Sequence, residues 1–427
     1  MTRSRAAAIV ATIALGTALF TLFVLWPAQR IVDVTFDPYN YAGLARQMLS
    51  EGFAAHGLTK REASLYPAFI ALVYAIAGSR PLIVTLLQCG IFAGTCALIV
   101  NIGARLFNVR TGLIAGLLFA IDPVPLRYVA DLHMETLLTF AVTLNVWSMV
   151  RFHERPSVRE GLLVGLTAGL ATLTKGVAIV PPLVFGAYGM WRVGTAYLRG
   201  QRPQASPQSV VAIALATALV IAPWTARNYR VTGGRFVLIA PGFSDAFLRG
   251  YVFSRSEFAL LRRPPYTDAE NECNAWFRDL CRRAGTEFGR DEVRNEGILA
   301  AEATRKIIAE PGELARKVVV GLFTFWYQMT TRFNSAVTGG IALAMWGLAM
   351  AGWSRGRREQ RPLWLLMMPI VAMNVFIAVL CSLGRYSLPI IPCLAVLAAF
   401  GVDTLLSARV AAQSEGVARR MSTTLML

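Results

Sequence analysis

Asp37, directly followed by Pro38, stands shortly after the first long apolar run of the chain. Two readings fit this pair. Asp is a good helix N-cap and Pro suits the first helical position, so the pair can simply start a helix. Alternatively, Asp37 is a carboxylate held at the water–lipid boundary, where a lipid-borne substrate would present its headgroup. The readings coexist, because a cap fixes the side chain. They pull its pKa in opposite directions: donated N–H bonds lower it, whereas a general base gains from a higher one. Three cations also sit at ends of apolar runs: Lys175, Arg227, and Arg385 beside Tyr386. Each alone could snorkel to headgroup phosphates. Converging from separate segments, they would suit a lipid-linked phosphate or pyrophosphate, which arginine meets with a bidentate fork and lysine with a point charge. A further polar cluster, Asp122, Arg127, Asp131, His133 and Glu135, is interrupted by Pro123 and Pro125. Such clusters are often merely interfacial, and a lone His133 is more often a hydrogen-bonded rim residue than a metal ligand.

The elements that must position these residues follow from composition. Of 427 residues, 55% are hydrophobic and only 16% charged, against about 25% charged in soluble domains. Mean hydropathy is +0.51. The apolar residues lie in long runs, so the chain reads as an all-α polytopic membrane protein, neither a soluble two-domain enzyme nor disordered. The net charge of +17 would suggest nucleic acid in a soluble protein. Here the arginines flank apolar runs, so topology and an anionic inner leaflet explain them, and no nucleic-acid partner is expected.

Spans are expected at Ala6–Trp26, Pro81–Ala104, Gly112–Ala130, Leu132–Val150, Gly161–Thr174, Gly176–Trp191, Val210–Ala226, Ala336–Trp353, Leu363–Leu383 and Leu388–Leu406. The first is long for a signal peptide and lacks a small-residue cleavage site, so it reads as retained. About ten crossings put both termini in the cytoplasm. The short inner loops are then all basic, for example Arg151, Arg155 and Arg159, then Arg192, Arg199 and Arg202, as the positive-inside rule requires. Basic loops on both sides of Gly161–Trp191 demand an even number of crossings, which places Lys175 at the outer surface between two short helices. Val318–Thr331 is too short to cross and reads as interfacial or re-entrant. The chain divides into 1–226, a transmembrane catalytic module with a first outer loop at 27–80; 227–335, a long extracytoplasmic loop; and 336–427, the last transmembrane helices and a cytoplasmic tail. In the first loop Tyr41, Leu44, Ala45, Met48 and Leu49 form a helical stripe. Leu65–Ala77 is apolar nearly all round. Both segments are expected to lie along the membrane surface as amphipathic juxtamembrane helices.

Six stretches, FDPYNYAGLARQML, SLYPAFIALVYAIAG, LHMETLLTF, LTAGLATLTKG, APWTARNYRVTGGRF and GRYSLPIIPCLAVLAAFGVD, resemble in order the polyprenyl-phosphate-sugar-dependent membrane glycosyltransferases of GT-C fold. That group includes the dolichyl-phosphate-mannose protein mannosyltransferases and the bacterial aminoarabinose-to-lipid-A transferase. The stretches cover most of the chain except the middle of the long loop. The resemblance implies a GT-C-like bundle with an outer active site built from the first loop, and an Asp just after the first helix, here Asp37. Many members carry Asp-Glu at that place, whereas this chain has Asp-Pro. It also implies acidic residues at the outer tip between the third and fourth helices, for which Asp131 and Glu135 are candidates and Asp122 a weaker one. Arg227–Asn228–Tyr229 and Arg385–Tyr386 match family motifs, which ranks those arginines first for the donor phosphate, with Lys175 and Tyr386 beside them.

The implied reaction moves a sugar from a polyprenyl-phosphate donor to a lipid, glycan or protein acceptor at the outer face of the cytoplasmic membrane. A phosphate leaving group needs no general acid; cations that neutralise its growing charge suffice. A hydroxyl acceptor loses a proton as it attacks, and Asp37 is the candidate base. A single displacement inverts the anomeric centre. The sequence specifies no certain cofactor; carboxylates at 37 and 131 could hold a divalent cation, though no spacing demands one. Cys273 and Cys281 would be about 12 Å apart on a continuous helix, too far to bridge, whereas a turn between them would permit a disulfide. Two rivals stay open: a lipid or glycan transporter or flippase, which would need broken polar helices at mid-membrane, and an O-antigen ligase or polymerase acting on pyrophosphate-linked glycans.

Overall fold

The computed structural model of the chain describes residues 1–25, 37, 40–52, 65–263 and 267–425. Among these residues every regular element is helical. Helix α1 (Arg3–Phe20) runs on through a wider turn to Leu25. Two short helices of the first loop follow, α2 (Tyr41–Glu51) and α3 (Leu65–Ala77). Next come α4 (Pro81–Leu106), α5 (Val109–Ala120), α6 (Pro123–Val129), α7 (Glu135–Glu154), α8 (Val158–Thr174), α9 (Val180–Leu198) and α10 (Pro207–Val231). The long loop folds into α11 (Phe243–Phe253), α12 (Ser256–Ala259), α13 (Thr267–Arg283), α14 (Glu292–Ala309) and α15 (Pro311–Thr324). Helices α16 (Arg332–Arg358), α17 (Trp364–Val379) and α18 (Ile391–Leu425) complete the bundle.

Among the described residues six helices are long and apolar enough to cross a membrane, and a seventh span arises if α5 and α6 count as one. Of the ten expected runs, α7, α8 and α17 fall outside that set. Helix α17 has only 16 residues and α8 only 17. Helix α7 has length enough, but its buried face is polar, with Thr139, Thr143, Asn145 and Ser148. These groups bind neighbouring backbone and side chains: Asn145 Nδ2 donates to Val164 O and to Thr167 Oγ1, each at 3.0 Å. Such bonds and small-residue contacts hold helices together where apolar lipid supplies little drive. Gly165 of α8 lies so close to α10 that a Cβ there would collide with the Ile213 carbonyl. Gly401 of α18 meets the Leu348 carbonyl of α16 in the same way. The expected uninterrupted run Gly112–Ala130 is instead bent by 60° between α5 and α6. Asp122 causes the break: it caps α6, its Oδ1 accepting from Val124 N at 2.9 Å, with Pro123 in the first turn.

The expected break at Lys175 is present. Helix α8 ends at Thr174, Lys175 is extended, and a tight turn Gly176–Ile179 leads into α9. Helix α15, which overlaps the expected interfacial segment, has 14 residues, too few to cross. Helix α13 passes unbroken through Cys273 and Cys281, whose thiols are buried and free. At the other end of the bundle, Asp403 of α18 sits 3.5 Å from Arg110 and 3.6 Å from Arg355, and accepts from Asn108 Nδ2 at 3.1 Å.

Candidate active site

The first loop is fastened by Asp37. Its Oδ1 accepts from Tyr41 N at 2.7 Å and its Oδ2 from Ala42 N at 2.5 Å. The helix it caps begins later than the Asp-Pro pair suggested. Residue Asn40, in the left-handed conformation at φ 56°, precedes the first turn and makes no side-chain bond to it, its carbonyl accepting from Leu44 N at 2.9 Å, and the Asp37 carboxylate reaches over it; Pro38 lies outside the described residues. Asp37 is buried, and burial raises its pKa against the lowering pull of the two backbone N–H groups, His133 and Arg46. For Asp37, burial thus outweighs the two cap bonds.

Helices α2 and α3 meet through Tyr41 and Tyr66, edge to face with centroids 4.8 Å apart. The Tyr66 hydroxyl donates to Gln88 Oε1 at 2.7 Å. Gln88 is fully buried within apolar α4, and its Nε2 donates to the carbonyls of Val129 and Asp131, both at 2.9 Å. One buried relay therefore ties the first loop to the tip between α6 and α7. At that tip His133 N donates to Asp131 O at 2.8 Å. The His133 ring stands edge-on to Tyr128, and its Nδ1 lies 3.1 Å from Glu135 Oε2. Asp131 is buried, and burial raises its pKa against His133 and Arg127. Among the described residues its Oδ1 finds no hydrogen-bond partner. His133 thus lies within electrostatic reach of all three carboxylates, Asp37, Asp131 and Glu135.

Glu135, Lys175, Arg385 and Tyr386 line one cavity of about 410 Å³, walled on its apolar side by Leu238, Ile239, Phe243, Phe376 and Leu380. Three distant segments meet here: the start of α7, the break between α8 and α9, and the tight turn Gly384–Ile390 before α18. The Lys175 ammonium lies 4.1 Å from the Tyr386 ring centroid and the Arg385 guanidinium 4.9 Å from it. Arg385 also donates to the Tyr386 hydroxyl at 3.0 Å. Tyrosine serves as a shared face for two cations that would otherwise repel, a cation–π arrangement.

Arg227 does not line this cavity. Its guanidinium lies 4.6 Å from the Trp224 ring and donates to Asn228 Oδ1 at 3.0 Å. Trp224 Nε1 and Asn228 Nδ2 both donate to Ile239 O, at 2.7 and 2.9 Å. The residues around Arg227 therefore hold the 237–240 segment that walls the cavity. Asp37 and Asp131 also stand outside its lining, linked to it through His133 and Glu135. Sequence reading placed His133 only at the rim and passed over Tyr66 and Gln88. A lone Gln within an apolar span, and a His flanked at two residues on either side by acids, were the available signals. Among the described residues no group of three or more His, Cys, Asp or Glu side chains is placed to hold a metal ion. No step below runs through a metal ion.

The family model described as dolichyl-phosphate-mannose-protein mannosyltransferase matches residues 62–225. No curated protein sequence matches the chain. Among solved structures, the oligosaccharyltransferase AglB of the archaeon Archaeoglobus fulgidus, in complex with an inhibitory peptide and a dolichol-phosphate, is similar at a TM-score of 0.57 and 16% identity. The match covers 97% of this chain and 52% of that one, so the chain spans about half the length of the archaeal enzyme. The same enzyme tethered to an acceptor peptide gives a TM-score of 0.58 at 15% identity, covering 95% and 50%. ArnT from Cupriavidus metallidurans bound to undecaprenyl phosphate is similar at 16% identity and a TM-score of 0.39, covering 93% and 77%. The chain has the GT-C fold of multi-pass membrane glycosyltransferases, as its motifs implied.

Proposed function

We propose that the chain is a glycosyltransferase that moves a sugar from a polyprenyl-phosphate donor to an acceptor at the outer face of the cytoplasmic membrane, with inversion. The observation that carries this reading is the convergence of Lys175 and Arg385 on Tyr386, beside Glu135, in a cavity with one apolar wall. Two cations at a half-buried site suit a phosphate that gains charge as its bond to the sugar breaks. Leu238 lines this cavity and also a second, far more apolar hollow of about 1010 Å³ between α9 and α10. That groove has the volume and apolar lining to take a prenyl chain whose phosphate sits against the cations.

In the proposed reaction the acceptor oxygen attacks the anomeric carbon as the carbon–oxygen bond to phosphate breaks. The leaving phosphate keeps that electron pair, and Arg385 and Lys175 balance its charge. Asp37, whose raised pKa favours proton uptake, takes the acceptor's proton. Asp131, with an uncommitted buried oxygen, would orient the acceptor hydroxyl. Glu135 would hold His133 and the two cations in place between turnovers. Arg227 would support the donor site through the wall at 237–240. The test is a screen of purified protein with radiolabelled polyprenyl-phosphate sugars and membrane extract. Transfer of label from at least one donor is expected; transport of the lipid across vesicles without any transfer would replace the enzyme by a flippase.

A further inference from the structure

A third hollow, of about 380 Å³, lies toward the opposite end of α9; it adjoins the apolar groove at Val210 and Ile213 and shares no lining residue with the Tyr386 cavity. Helix α9 spans 19 residues from the Lys175 break, about 28 Å by rise, which is close to the thickness of a bilayer's hydrocarbon core. That length suits a placement of the two cavities toward opposite faces of a membrane. The far cavity is walled by His153, Phe185, Tyr188 and Trp364, with Arg192, Arg199 and Arg202 around its mouth. Trp364 is the hub of the aromatic wall: it stands 4.8 Å from Tyr188, 5.5 Å from His153 and 6.1 Å from Phe185.

The neighbouring acids are already used. Glu154 pairs with Arg105, and Glu160 with Arg151. Among the described residues Arg192, Arg199 and Arg202 have no carboxylate partner; the nearest bond is a long one from Arg192 to the Tyr188 hydroxyl. Arginines placed only to fix topology need no cavity between them. Here the three cations surround a hollow that an anion could enter. Trp191, Tyr197 and Leu198, beside the mouth, are all exposed, and exposed Trp and Tyr at a helix end mark the headgroup layer. Basic pockets between spanning helices are a general mode of binding anionic headgroups.

We propose that this cavity is a binding site for a phosphate-bearing anion, presented as the headgroup of an anionic phospholipid from the leaflet opposite the candidate active site. The phosphate takes the place between Arg192, Arg199 and Arg202, the headgroup rests on the aromatic wall, and the acyl chains pass out along α9. The site is independent of the sugar-transfer reading.

The experiment uses the full-length protein in mild detergent, with thermal stability followed on adding phosphatidylglycerol, phosphatidylcholine or glycerol 3-phosphate. Phosphatidylglycerol is expected to stabilise at concentrations at least tenfold lower than phosphatidylcholine, and the Arg199→Gln/Arg202→Gln variant is expected to lose that preference. Arg155→Gln/Arg159→Gln, which removes basic residues outside the cavity, should keep it. Equal response to the two lipids, or loss in both variants alike, overturns the site. Stabilisation by glycerol 3-phosphate as strong as by the lipid overturns the lipid source. Should the first variant fail to fold, a photoactivatable phosphatidylglycerol on the unaltered protein decides. Labelling concentrated within 185–204 supports the site, and labelling spread evenly over the lipid-facing helices contradicts it.

Discussion

The ammonium of Lys175 and the ring of Tyr386 meet at 4.1 Å, although one residue ends α8 and the other lies in the turn before α18. Arg385 covers the same ring and bonds its hydroxyl. Tyr386 thereby sets the spacing of two cations and aims both at one small volume. A phosphate seated there would be held by charge-assisted bonds of about 1.5–3 kcal/mol each.

Arg385→Ala or Lys175→Ala should therefore raise the KM for the lipid-phosphate donor roughly tenfold or more, by that same range, and leave the acceptor KM nearly unchanged. Initial rates with each substrate varied in turn distinguish the cases. An equal rise in both constants would count against a donor-phosphate role.

Asp37→Asn should lower kcat by roughly a hundred- to ten-thousandfold, the usual worth of a general base. The amide oxygen can still accept from Tyr41 N, so the helix start survives with a loss of about 1 kcal/mol for the bond to Ala42 N. Because the folded pKa of Asp37 lies above its ordinary value, wild-type kcat/KM should fall on the acid side at a pH above the ordinary carboxylate range. The same shift means that Asp37 contributes stability fully below its unfolded pKa, and that this contribution is lost as pH rises through the folded value. Near-normal turnover in the variant would leave Asp37 as a helix cap alone.

Removing the Tyr66 hydroxyl by Tyr66→Phe strands the buried Gln88 oxygen, at a cost of about 1–3 kcal/mol. The relay ends at the Asp131 and Val129 carbonyls, so the tip carrying His133 and Glu135 should loosen. A several-fold drop in kcat with an unchanged donor KM is expected. A stability loss with no kinetic effect would confine the relay to folding.

Lys317, in α15 and outside the spanning helices, is buried with its Nζ 2.7 Å from Phe247 O and 3.5 Å from the Phe247 ring centroid. Burial pushes its pKa down to about 7. As the pH falls from the ordinary lysine value of about 10.4, the unfolded chain takes up a proton that the folded chain refuses. Stability should drop across that window and level off below about 7. Lys317→Met should abolish the slope, so that the stabilities of the two proteins, followed by melting between pH 7 and 9.5, diverge as pH falls, by an amount on the order of a few kcal/mol at most. Parallel curves would show that Lys317 stays charged in the fold.

Much of this arrangement was legible in the sequence. Long apolar runs gave the principal helices, and the alternation of basic loops gave the break at Lys175. Local chemistry misled where a side chain acted at longer range than the nearest rule assumes. Asp37 caps across Asn40, so the Asp-Pro pair marks the helix start too early. Asp122 bends a run that hydropathy reads as continuous. Helix α7 looked like an ordinary span, yet its inner face is polar because other helices surround it. Arg227 matched a motif as well as Arg385 did, but which of them faces the cavity depends on tertiary packing of the 237–240 segment.

The most direct test of the central claim is a high-resolution electron cryomicroscopy structure of the protein saturated with polyprenyl phosphate. The account predicts the phosphate within hydrogen-bonding distance of Arg385 and Lys175, with the prenyl chain running along α9 and α10. Phosphate density elsewhere, with the Tyr386 cavity empty of it, would contradict the account.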